Sequence, residues 1–304
     1  MKNKVLFLLF PLIASAISGC SNHNHNYELM VLNDADQRTY IVGDDFNEEG
    51  LSVGLKCSVC GKAKEKSYAL ENNENLQLDQ NDITIYVEGE DSLKYPIFVK
   101  EKYHIACVGD SLTAGHYWAN ESYPTMLNGL ISNRYQIENC GVNGISITGY
   151  GGSWDKPDMR YIKQYVYQKS VNFAPDIFAI MLGTNDGTNW EEAQKTFEEE
   201  YHILLDSYVE LFPHAKFIMM VSPPCVTPNQ FSISNTNIRD YVNPVQRDLA
   251  EEYGFEILDL REEFEAEKDF ESRFLRPNDG VHFTKEGAEF VAQRVWDIAK
   301  DLKF

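Results

Sequence analysis

Five short apolar runs alternate with longer amphipathic stretches across residues 103–304, and this alternation limits the fold more than any other feature of the chain. The runs are HIACVG, YQIENCGV, DIFAIMLG, KFIMMVSPP and FEILDL. Continuous runs of branched and aromatic residues are typical of strands buried on both faces, as in a parallel sheet covered by helices. Because strands and helices alternate, we predict right-handed crossovers and a doubly wound α/β domain.

A different pattern fills residues 27–102, where short alternating runs are separated by glycine, aspartate and asparagine. The runs include TYIVGDDF, GLSVGLKCSV, DITIYVEGE and KYPIFVKEK. No long helical period interrupts them, so we predict a small all-β domain, a sandwich, that ends near residue 102. The stretch resembles bacterial immunoglobulin-like domains on cell-surface proteins. This resemblance implies a spacer or a module that contacts carbohydrate, and we favour the spacer.

The first twenty residues, MKNKVLFLLFPLIASAISGC, have the pattern of a secretory signal. Lys2 and Lys4 precede an apolar run that is short for a membrane span, and small residues follow it. The end of the run, Ile17–Cys20, resembles the bacterial lipobox. The resemblance implies cleavage before Cys20, a diacylglycerol group on its thiol and a chain anchored at the bacterial cell envelope. The alternative is an ordinary signal peptide with a cysteine at this position by chance.

The domain organisation that we predict follows from these patterns. It comprises a lipoprotein signal peptide (1–19), a polar tether (20–26), the β domain (27–102) and the α/β domain (103–304). The formal net charge of the chain is −20, which would repel a phosphate backbone and argues against nucleic acid as a partner.

The spacing of the cysteines argues against a zinc site built from four thiolates. Cys57 and Cys60 form the single Cys-x-x-Cys pair of the chain, so no second pair can complete a four-thiolate zinc site. The chain has six cysteines, and the five that remain without Cys20 cannot all pair with one another. We expect a local disulfide or two unmodified thiols. His23 and His25 could also bind a metal, but we favour a solvated tether, and we predict no metal site.

Polar residues follow the predicted strands at the points where a doubly wound sheet binds its ligands, the carboxyl ends of the strands. Gly109-Asp110-Ser111 follows the first apolar run, the stretch 139–144 ends the second, and the stretch 183–186 ends the third. Asp279 and His282 lie in RPNDGVHFT, just before the last predicted helix.

These residues provide the groups that acyl transfer requires. Ser111 can act as a nucleophile if a base takes its proton, His282 is the candidate base, and Asp279 can accept the other imidazole N–H. The N–H groups of Ser111 and Gly144 and the amide of Asn185 could stabilise an oxyanion. Each residue also has an ordinary structural explanation, such as a helix cap or a turn. Their joint placement favours catalysis.

The four blocks resemble the SGNH hydrolases, also called GDSL esterases and lipases, over roughly Tyr103 to Phe304. The matching residues are Gly109-Asp110-Ser111-Leu112, Asn139-x-Gly141-x-x-Gly144, Gly183-Thr184-Asn185-Asp186 and Asp279-x-x-His282. The resemblance implies a flavodoxin-like three-layer α/β/α fold with a five-stranded parallel sheet. It also implies a Ser111-His282-Asp279 triad, an oxyanion hole of Ser111, Gly144 and Asn185, an acyl-enzyme, and no cofactor.

The substrate is less constrained by the sequence than the chemistry. PDIFAIMLGTNDGTNW resembles a subgroup in which a tryptophan follows the third block and which is linked to carbohydrate deacetylation. Tyr150, Trp154 and Trp190 could stack on a sugar, although core or rim packing is the simpler explanation for each, and His116 could line the pocket.

Three hypotheses remain open at this stage. The first is a lipid-anchored esterase that removes O-acetyl groups from carbohydrate, so its partners are an acylated substrate and a membrane. The second is a short-chain esterase or lysophospholipase, although no long apolar lid segment for a lipid is present. The third is a non-catalytic, glycan-binding surface lipoprotein.

Overall fold

The computed structural model describes residues 25–116, 118–150 and 159–304. The predicted signal peptide with Cys20 and the candidate Trp154 lie outside the described residues. Thirteen strands are described: β1 (Tyr27–Asn33), β2 (Thr39–Ile41), β3 (Ser52–Cys57), β4 (Ala63–Glu65), β5 (Ala69–Glu71), β6 (Asp82–Tyr86), β7 (Leu93–Pro96), β8 (Phe98–Lys100), β9 (Tyr103–Gly109), β10 (Tyr135–Gly141), β11 (Ile177–Met181), β12 (Lys216–Val221) and β13 (Glu256–Asp259).

The α-helices of the described chain all follow β9. They are α1 (Ser111–Ala114), α2 (Tyr123–Leu130), α3 (Tyr165–Phe173), α4 (Trp190–Ala193), α5 (Phe197–Leu211), α6 (Asn235–Asn237), α7 (Asn243–Tyr253), α8 (Leu260–Glu265), α9 (Phe270–Phe274) and α10 (Lys285–Ala299). A π-helical turn, Ile238–Val242, joins α6 to α7, and short 3₁₀ turns cover Ala119–Glu121, Tyr161–Lys163 and Asn185–Thr188. Among the described residues, no helix is long and apolar enough to cross a membrane.

A five-stranded parallel sheet forms the centre of the second part of the chain, as the sequence predicts. The strand order is β10-β9-β11-β12-β13, and every neighbouring pair is parallel. This is the flavodoxin-like order, in which the chain first moves to one side of β9 and then returns to the other. The reversal places the ligand-binding crevice at the carboxyl end of β9, where Ser111 follows.

The two faces of the sheet carry separate apolar cores because successive strand residues point in opposite directions. Ile105 and Cys107 of β9 pack with residues of α2 and α10 on one face. Ala106 and Val108 pack with residues of α3, α5 and α7 on the other. The inner strands β9, β11 and β12 are almost wholly buried. The edge strands β10 and β13 are partly exposed because each has a neighbouring strand on one side only.

Strands β1 to β8 lie before the α/β domain and form three small sheets. Strand β3 lies between β1 and β4, β6 lies between β5 and β7, and β2 pairs in parallel with β8. Their shared core includes Tyr40, Val53, Leu76, Ile83 and Tyr95, all fully or almost fully buried. Strand β8 ends two residues before the predicted boundary at residue 102. The domain limits stay a prediction.

The C-terminus of the chain packs against this N-terminal region. The backbone oxygen of Phe304 accepts hydrogen bonds from the N–H groups of Arg38 and Thr39 at 2.6 and 3.0 Å. The Phe304 ring lies against Tyr103, with ring centroids 4.5 Å apart, and the Tyr103 hydroxyl donates to the Thr39 carbonyl. Lys100 bridges from β8 to Asp176 at 2.7 Å. Backbone, aromatic and ionic contacts therefore join the two regions.

Candidate active site

A sharp turn from β9 into α1 presents the Ser111 hydroxyl at the carboxyl edge of the sheet. Asp110 caps the helix, because its Oδ1 accepts the N–H of Leu112 at 2.8 Å. Gly109 is required at the turn, since a Cβ there would lie only 2.8 Å from the carbonyl oxygen of Met181. The capping role is therefore filled by Asp110, and Ser111 occupies the first turn of the helix with its hydroxyl directed elsewhere.

The Ser111 hydroxyl meets the imidazole of His282, which in turn meets Asp279. The distance from Ser111 Oγ to His282 Nε2 is 2.8 Å, and His282 Nδ1 lies 3.2 Å from Asp279 Oδ2. All three residues are buried, with 7%, 4% and 4% of their surface exposed in the order Ser111, His282, Asp279. The structure thus brings together, in one hydrogen-bonded chain, three residues that the sequence separates by up to 171 positions.

The carboxylate of Asp279 sets the tautomer of the histidine. Its Oδ1 accepts the backbone N–H groups of Val281 and His282 at 2.8 and 2.9 Å. Burial raises the pKa of Asp279, but the hydrogen bonds from the His282 ring and these two N–H groups outweigh burial, so the pKa lies below its usual value. An ionised carboxylate only accepts hydrogen bonds. Nδ1 of His282 therefore carries the proton, and Nε2 can accept the proton of Ser111.

The loop that bears Gly144 is held by a buried carboxylate, Asp186. Asp186 accepts hydrogen bonds from the N–H groups of Ile147 and Thr148 at 3.0 and 3.1 Å, and from the Thr148 hydroxyl at 2.7 Å. Gly144 has a φ of +72°, a conformation that glycine adopts with little strain. Asp186 thereby ties the end of β11 to the loop after β10.

Asn185 occupies the centre of this edge, between two strand ends. Its Nδ2 donates to Asp110 Oδ2 at 3.2 Å and to the Ile145 carbonyl at 2.9 Å. An amide nitrogen has two hydrogens, and both are directed to protein acceptors in this state. The side chain of Asn185 therefore lies between the first and second blocks, and its role toward an oxyanion stays a prediction.

Two buried acids, Asp110 and Asp186, were not singled out by the sequence analysis as functional residues. Burial raises the pKa of Asp110 to about 7 and that of Asp186 to about 6, although hydrogen bonds from backbone N–H groups act in the opposite direction. Both residues are fully buried. The sequence could have indicated both acids, because each lies in one of the polar blocks at the strand ends. Asp110 directly precedes Ser111, and Asp186 directly follows Asn185.

A small pocket opens at Ser111 and His282. Its other lining residues come from α1, the segment between α1 and α2, and the loop before α10: Leu112, Gly115, His116, Trp118, Glu121, Ser122, Arg276 and Phe283. Trp118 is 56% exposed, and Arg276 Nη2 lies 3.2 Å from Glu121 Oε2 at the rim. Of the three predicted substrate contacts that the structure describes, His116 is the one that lines this pocket. Trp118 ends the stretch His116–Trp118 that directly follows the predicted nucleophile turn, whereas no motif in the sequence marks Glu121 or Arg276.

His116 also packs directly on the candidate base. Its ring stacks on the His282 ring with centroids 4.3 Å apart and an interplanar angle of 13°. Phe231 approaches the same His282 ring edge-on, at 4.9 Å and 83°. Burial and the neighbouring His282 lower the pKa of His116. The lowered pKa favours a neutral His116 when His282 takes up a proton, so the stack imposes no second positive charge on the base.

The other candidate sugar contacts are placed differently. Trp190 stacks on Tyr241 at 5.6 Å and meets Phe197 edge-on at 5.3 Å, so it packs against the core that includes α5. Tyr150 is half-buried, and its N–H donates to the Thr148 hydroxyl. Neither is among the described residues that line the pocket at Ser111. Their contact with substrate, like that of Trp154, stays a prediction.

Comparison with protein families matches residues 107–290 to the GDSL-like Lipase/Acylhydrolase family. The chain belongs to this family. The match covers more than half of the chain and includes Ser111, Asn185, Asp279 and His282. The five-stranded parallel sheet agrees with the SGNH hydrolase fold.

Relatives of this GDSL-family chain include an acetylxylan esterase of Xylanibacter ruminicola, 26% identical over 210 residues. That alignment covers 62% of this chain but 41% of the esterase, so the chain spans less than half the length of that relative. The uncharacterized protein YpmR of Bacillus subtilis is 23% identical over 219 residues, which cover 66% of this chain and 83% of YpmR. The family match and the acetylxylan esterase together support a carboxylic ester hydrolase.

Solved structures show the same fold for the GDSL-family part. A GDSL-like lipase from Parabacteroides merdae superimposes with a TM-score of 0.52 at 19% identity, covering 66% of this chain and 97% of that one. The lipase/acylhydrolase from Enterococcus faecalis gives a TM-score of 0.50 at 19% identity, covering 65% and 95%.

The raised pKa of Asp110 predicts that its contribution to the free energy of unfolding decreases as the pH rises. The native carboxyl keeps its proton up to about pH 7, whereas an unfolded aspartate loses it near pH 4. The contribution of Asp110 to the free energy of unfolding is therefore present below about pH 4 and is lost as the pH rises toward 7. We expect Asp110→Asn, which does not titrate, to become more stable relative to wild type between about pH 5 and about pH 8.

Urea unfolding at about pH 5 and about pH 8 measures the difference in the free energy of unfolding between Asp110→Asn and wild type. Asp91→Asn, which changes an exposed aspartate in the N-terminal region, is the matched control. A difference between Asp110→Asn and wild type that stays constant across this range would contradict the prediction.

Proposed function

We propose that the chain hydrolyses carboxylic esters with Ser111 as nucleophile, His282 as general base and acid, and Asp279 as the residue that orients the histidine. The observation that supports this most directly is the continuous hydrogen-bonded chain from Ser111 Oγ through the imidazole to the Asp279 carboxylate. In the first half-reaction, His282 Nε2 takes the hydroxyl proton while Oγ bonds to the ester carbonyl carbon. The resulting imidazolium then protonates the departing alcohol.

Water completes the cycle in the second half-reaction. His282 Nε2 removes a proton from water, the hydroxide oxygen bonds to the acyl carbon, and the Ser111–acyl bond breaks. The proton returns from His282 to Ser111 Oγ as the carboxylic acid leaves. The serine and histidine are thus restored, and the net reaction consumes one ester and one water.

The oxyanion of each tetrahedral intermediate would be held by three donors, the N–H groups of Ser111 and Gly144 and the amide of Asn185. In this structure Asn185 donates to Asp110 at 3.2 Å and to Ile145 at 2.9 Å. We expect the longer of these hydrogen bonds, the one to Asp110, to break so that its N–H can donate to the oxyanion. Its present acceptor, Asp110, then keeps the N–H of Leu112 as a partner.

Removal of the nucleophile tests this mechanism. We expect Ser111→Ala to lower kcat for p-nitrophenyl acetate by about 10⁴-fold or more, because serine and histidine act as a unit. Ser272→Ala, which removes an exposed hydroxyl on α9, is the control and should keep wild-type turnover. Turnover by Ser111→Ala at the wild-type rate, or none by wild type, would refute the mechanism; the second result would favour a glycan-binding protein without catalysis.

We infer that the substrate is an O-acetyl ester on carbohydrate. The relative from Xylanibacter ruminicola is an acetylxylan esterase, which supports acetyl as the acyl group. The pocket wall also supports it, because Trp118 exposes an aromatic surface of the kind that stacks on sugars, and Arg276 and Glu121 place polar groups at the rim. The pocket is small at Ser111, where the acyl group would lie.

A panel of esters separates this substrate from the short-chain esterase or lysophospholipase alternative. We expect kcat/KM for p-nitrophenyl esters to fall by about tenfold or more from acetyl to octanoyl, because the pocket at Ser111 is small and even one methylene changes recognition by about tenfold or more. Acetate release from acetylated xylan should exceed fatty-acid release from a lysophospholipid under the same conditions. The reverse order would assign the protein to the lipid-active alternative.

We further propose that the protein is exported and anchored to the cell envelope through Cys20, after removal of residues 1–19. The support is the sequence pattern of Lys2, Lys4 and the apolar run that ends at Cys20. On this proposal residues 20–26 form a tether, residues 27–102 form an immunoglobulin-like spacer, and residues 103–304 form the hydrolase domain. The small sheets of β1 to β8 support the spacer.

The lipid anchor has a direct test in bacterial cells. We expect Cys20→Ala to move the protein from the membrane fraction to the soluble fraction, because it removes the thiol that would carry diacylglycerol. Ser21→Ala is the matched control, since it changes the neighbouring residue and leaves the Cys20 thiol in place. Wild type and Cys20→Ala in the same fraction would contradict the anchor.

A further inference from the structure

The turn between β3 and β4 brings the two thiols of the Cys-x-x-Cys pair to one place. Cys57 ends β3, and its N–H donates to the Lys62 carbonyl at 2.9 Å, while its own carbonyl accepts the N–H of Gly61 at 2.9 Å. Gly61 has a φ of +71°, which favours glycine. This reversal turns Cys60 back beside Cys57. Neither thiol forms a disulfide in the structure.

A histidine from outside the turn completes a group of three. Strand β1 pairs antiparallel with β3, so that Tyr27 lies opposite Cys57, and the residues just before β1 reach the turn. The carbonyl of Asn26 accepts the N–H of Ser58 at 3.0 Å, which holds the chain there. The His25 ring stacks on Tyr27 with centroids 5.4 Å apart. Strand register therefore places His25 at the turn.

The three side chains present one ligand atom each to a common point. His25 Nδ1 lies 3.4 Å from Cys57 Sγ and 3.5 Å from Cys60 Sγ, and all three atoms lie within 4.8 Å of one another. A tetrahedral zinc ion with Zn–S of about 2.3 Å and Zn–N of about 2.0–2.1 Å separates nitrogen from sulfur by about 3.5 Å. The observed distances match that spacing.

We propose that His25, Cys57 and Cys60 bind a Zn²⁺ ion. The three ligands would occupy three of the four tetrahedral positions, and water can fill the fourth. Two thiolates and a neutral imidazole balance the charge of Zn²⁺, and thiolate and imidazole ligands suit this ion. On binding, the two thiols lose their protons to solvent and two Zn–S bonds form, with no change of oxidation state.

This proposal differs from the expectation drawn from the sequence. Counting Cys-x-x-Cys pairs excluded a site built from four thiolates, and His25 was placed in a solvated tether. The pairing of β1 with β3 supplies the third ligand, and no spacing rule along the chain could show it. The ion would join the end of the tether to the β3–β4 turn, so the free energy of zinc binding would stabilise the fold at the entry of the chain.

Cobalt and zinc binding by the full chain test the proposal. The protein is kept reduced, stripped of metal with a chelator, and titrated with Co²⁺ and then with Zn²⁺. We expect one Co²⁺ per chain with thiolate-to-metal charge-transfer absorption and the visible bands of tetrahedral cobalt, both abolished by one equivalent of Zn²⁺. Zinc should also raise the temperature of unfolding, because it binds the folded state.

Variants locate the ion. We expect Cys60→Ser and His25→Ala to weaken zinc binding by roughly a hundredfold or more. The loss of a residue that only hydrogen-bonds a metal ligand already lowers metal affinity by about 10- to 100-fold. Cys225→Ser is the control, because burial raises the pKa of this thiol to about 11 and its Sγ contacts the carbonyl of Ile233 instead. Circular dichroism of each variant without metal confirms that it is folded.

Three results would overturn the proposal. One is a wild-type chain that binds no Co²⁺ while reduced. Another is equal zinc affinity in wild type, Cys60→Ser and His25→Ala. The third is a Cys57–Cys60 disulfide in protein whose thiols are blocked at the moment of cell lysis. None of these results depends on ester hydrolysis, so the zinc site and the catalytic mechanism are tested separately.

Discussion

The buried hydrogen bonds that Asp110, Asn185 and Asp186 make hold the active-site edge together. Parallel strands bring their ends to one side of a sheet, but the loops that leave them point in different directions. Asn185 joins the end of β9 to the loop after β10, and Asp186 fixes the same loop from β11. Placing two carboxyls in a buried setting costs solvation, as their raised pKa values show. That cost is consistent with a site whose geometry must not vary.

Much of this arrangement can be predicted from the sequence. The apolar runs predict the five parallel strands, and the residues after them predict which side chains meet, because the carboxyl ends of parallel strands share an edge. The four family blocks predict which of these residues act as nucleophile, oxyanion donors, acid and base. The turn at Gly109 is a further case in which residue type and backbone geometry agree, since the close approach of Met181 leaves no space for a Cβ.

Contacts across long distances in the sequence could not be predicted in the same way. His116 follows Ser111 in the chain, but its stacking on His282 depends on the path of the loop before α10. Trp190 has an aromatic ring of the kind that stacks on sugars, but in the fold this ring packs against Tyr241 and Phe197. The meeting of His25 with Cys57 depends on strand register between β1 and β3. Each of these follows from tertiary packing, which periodicity along one segment does not encode.

The bond between the carbonyl of Phe304 and the N–H groups of Arg38 and Thr39 has a mechanical consequence. Together with the Tyr103–Phe304 ring contact and the Lys100–Asp176 ion pair, it joins the first region to the second at several points. The region of β1 to β8 would therefore keep a fixed orientation to the α/β domain and would not act as a hinge. A contact made by the region of β1 to β8 would therefore also set the orientation of the pocket at Ser111.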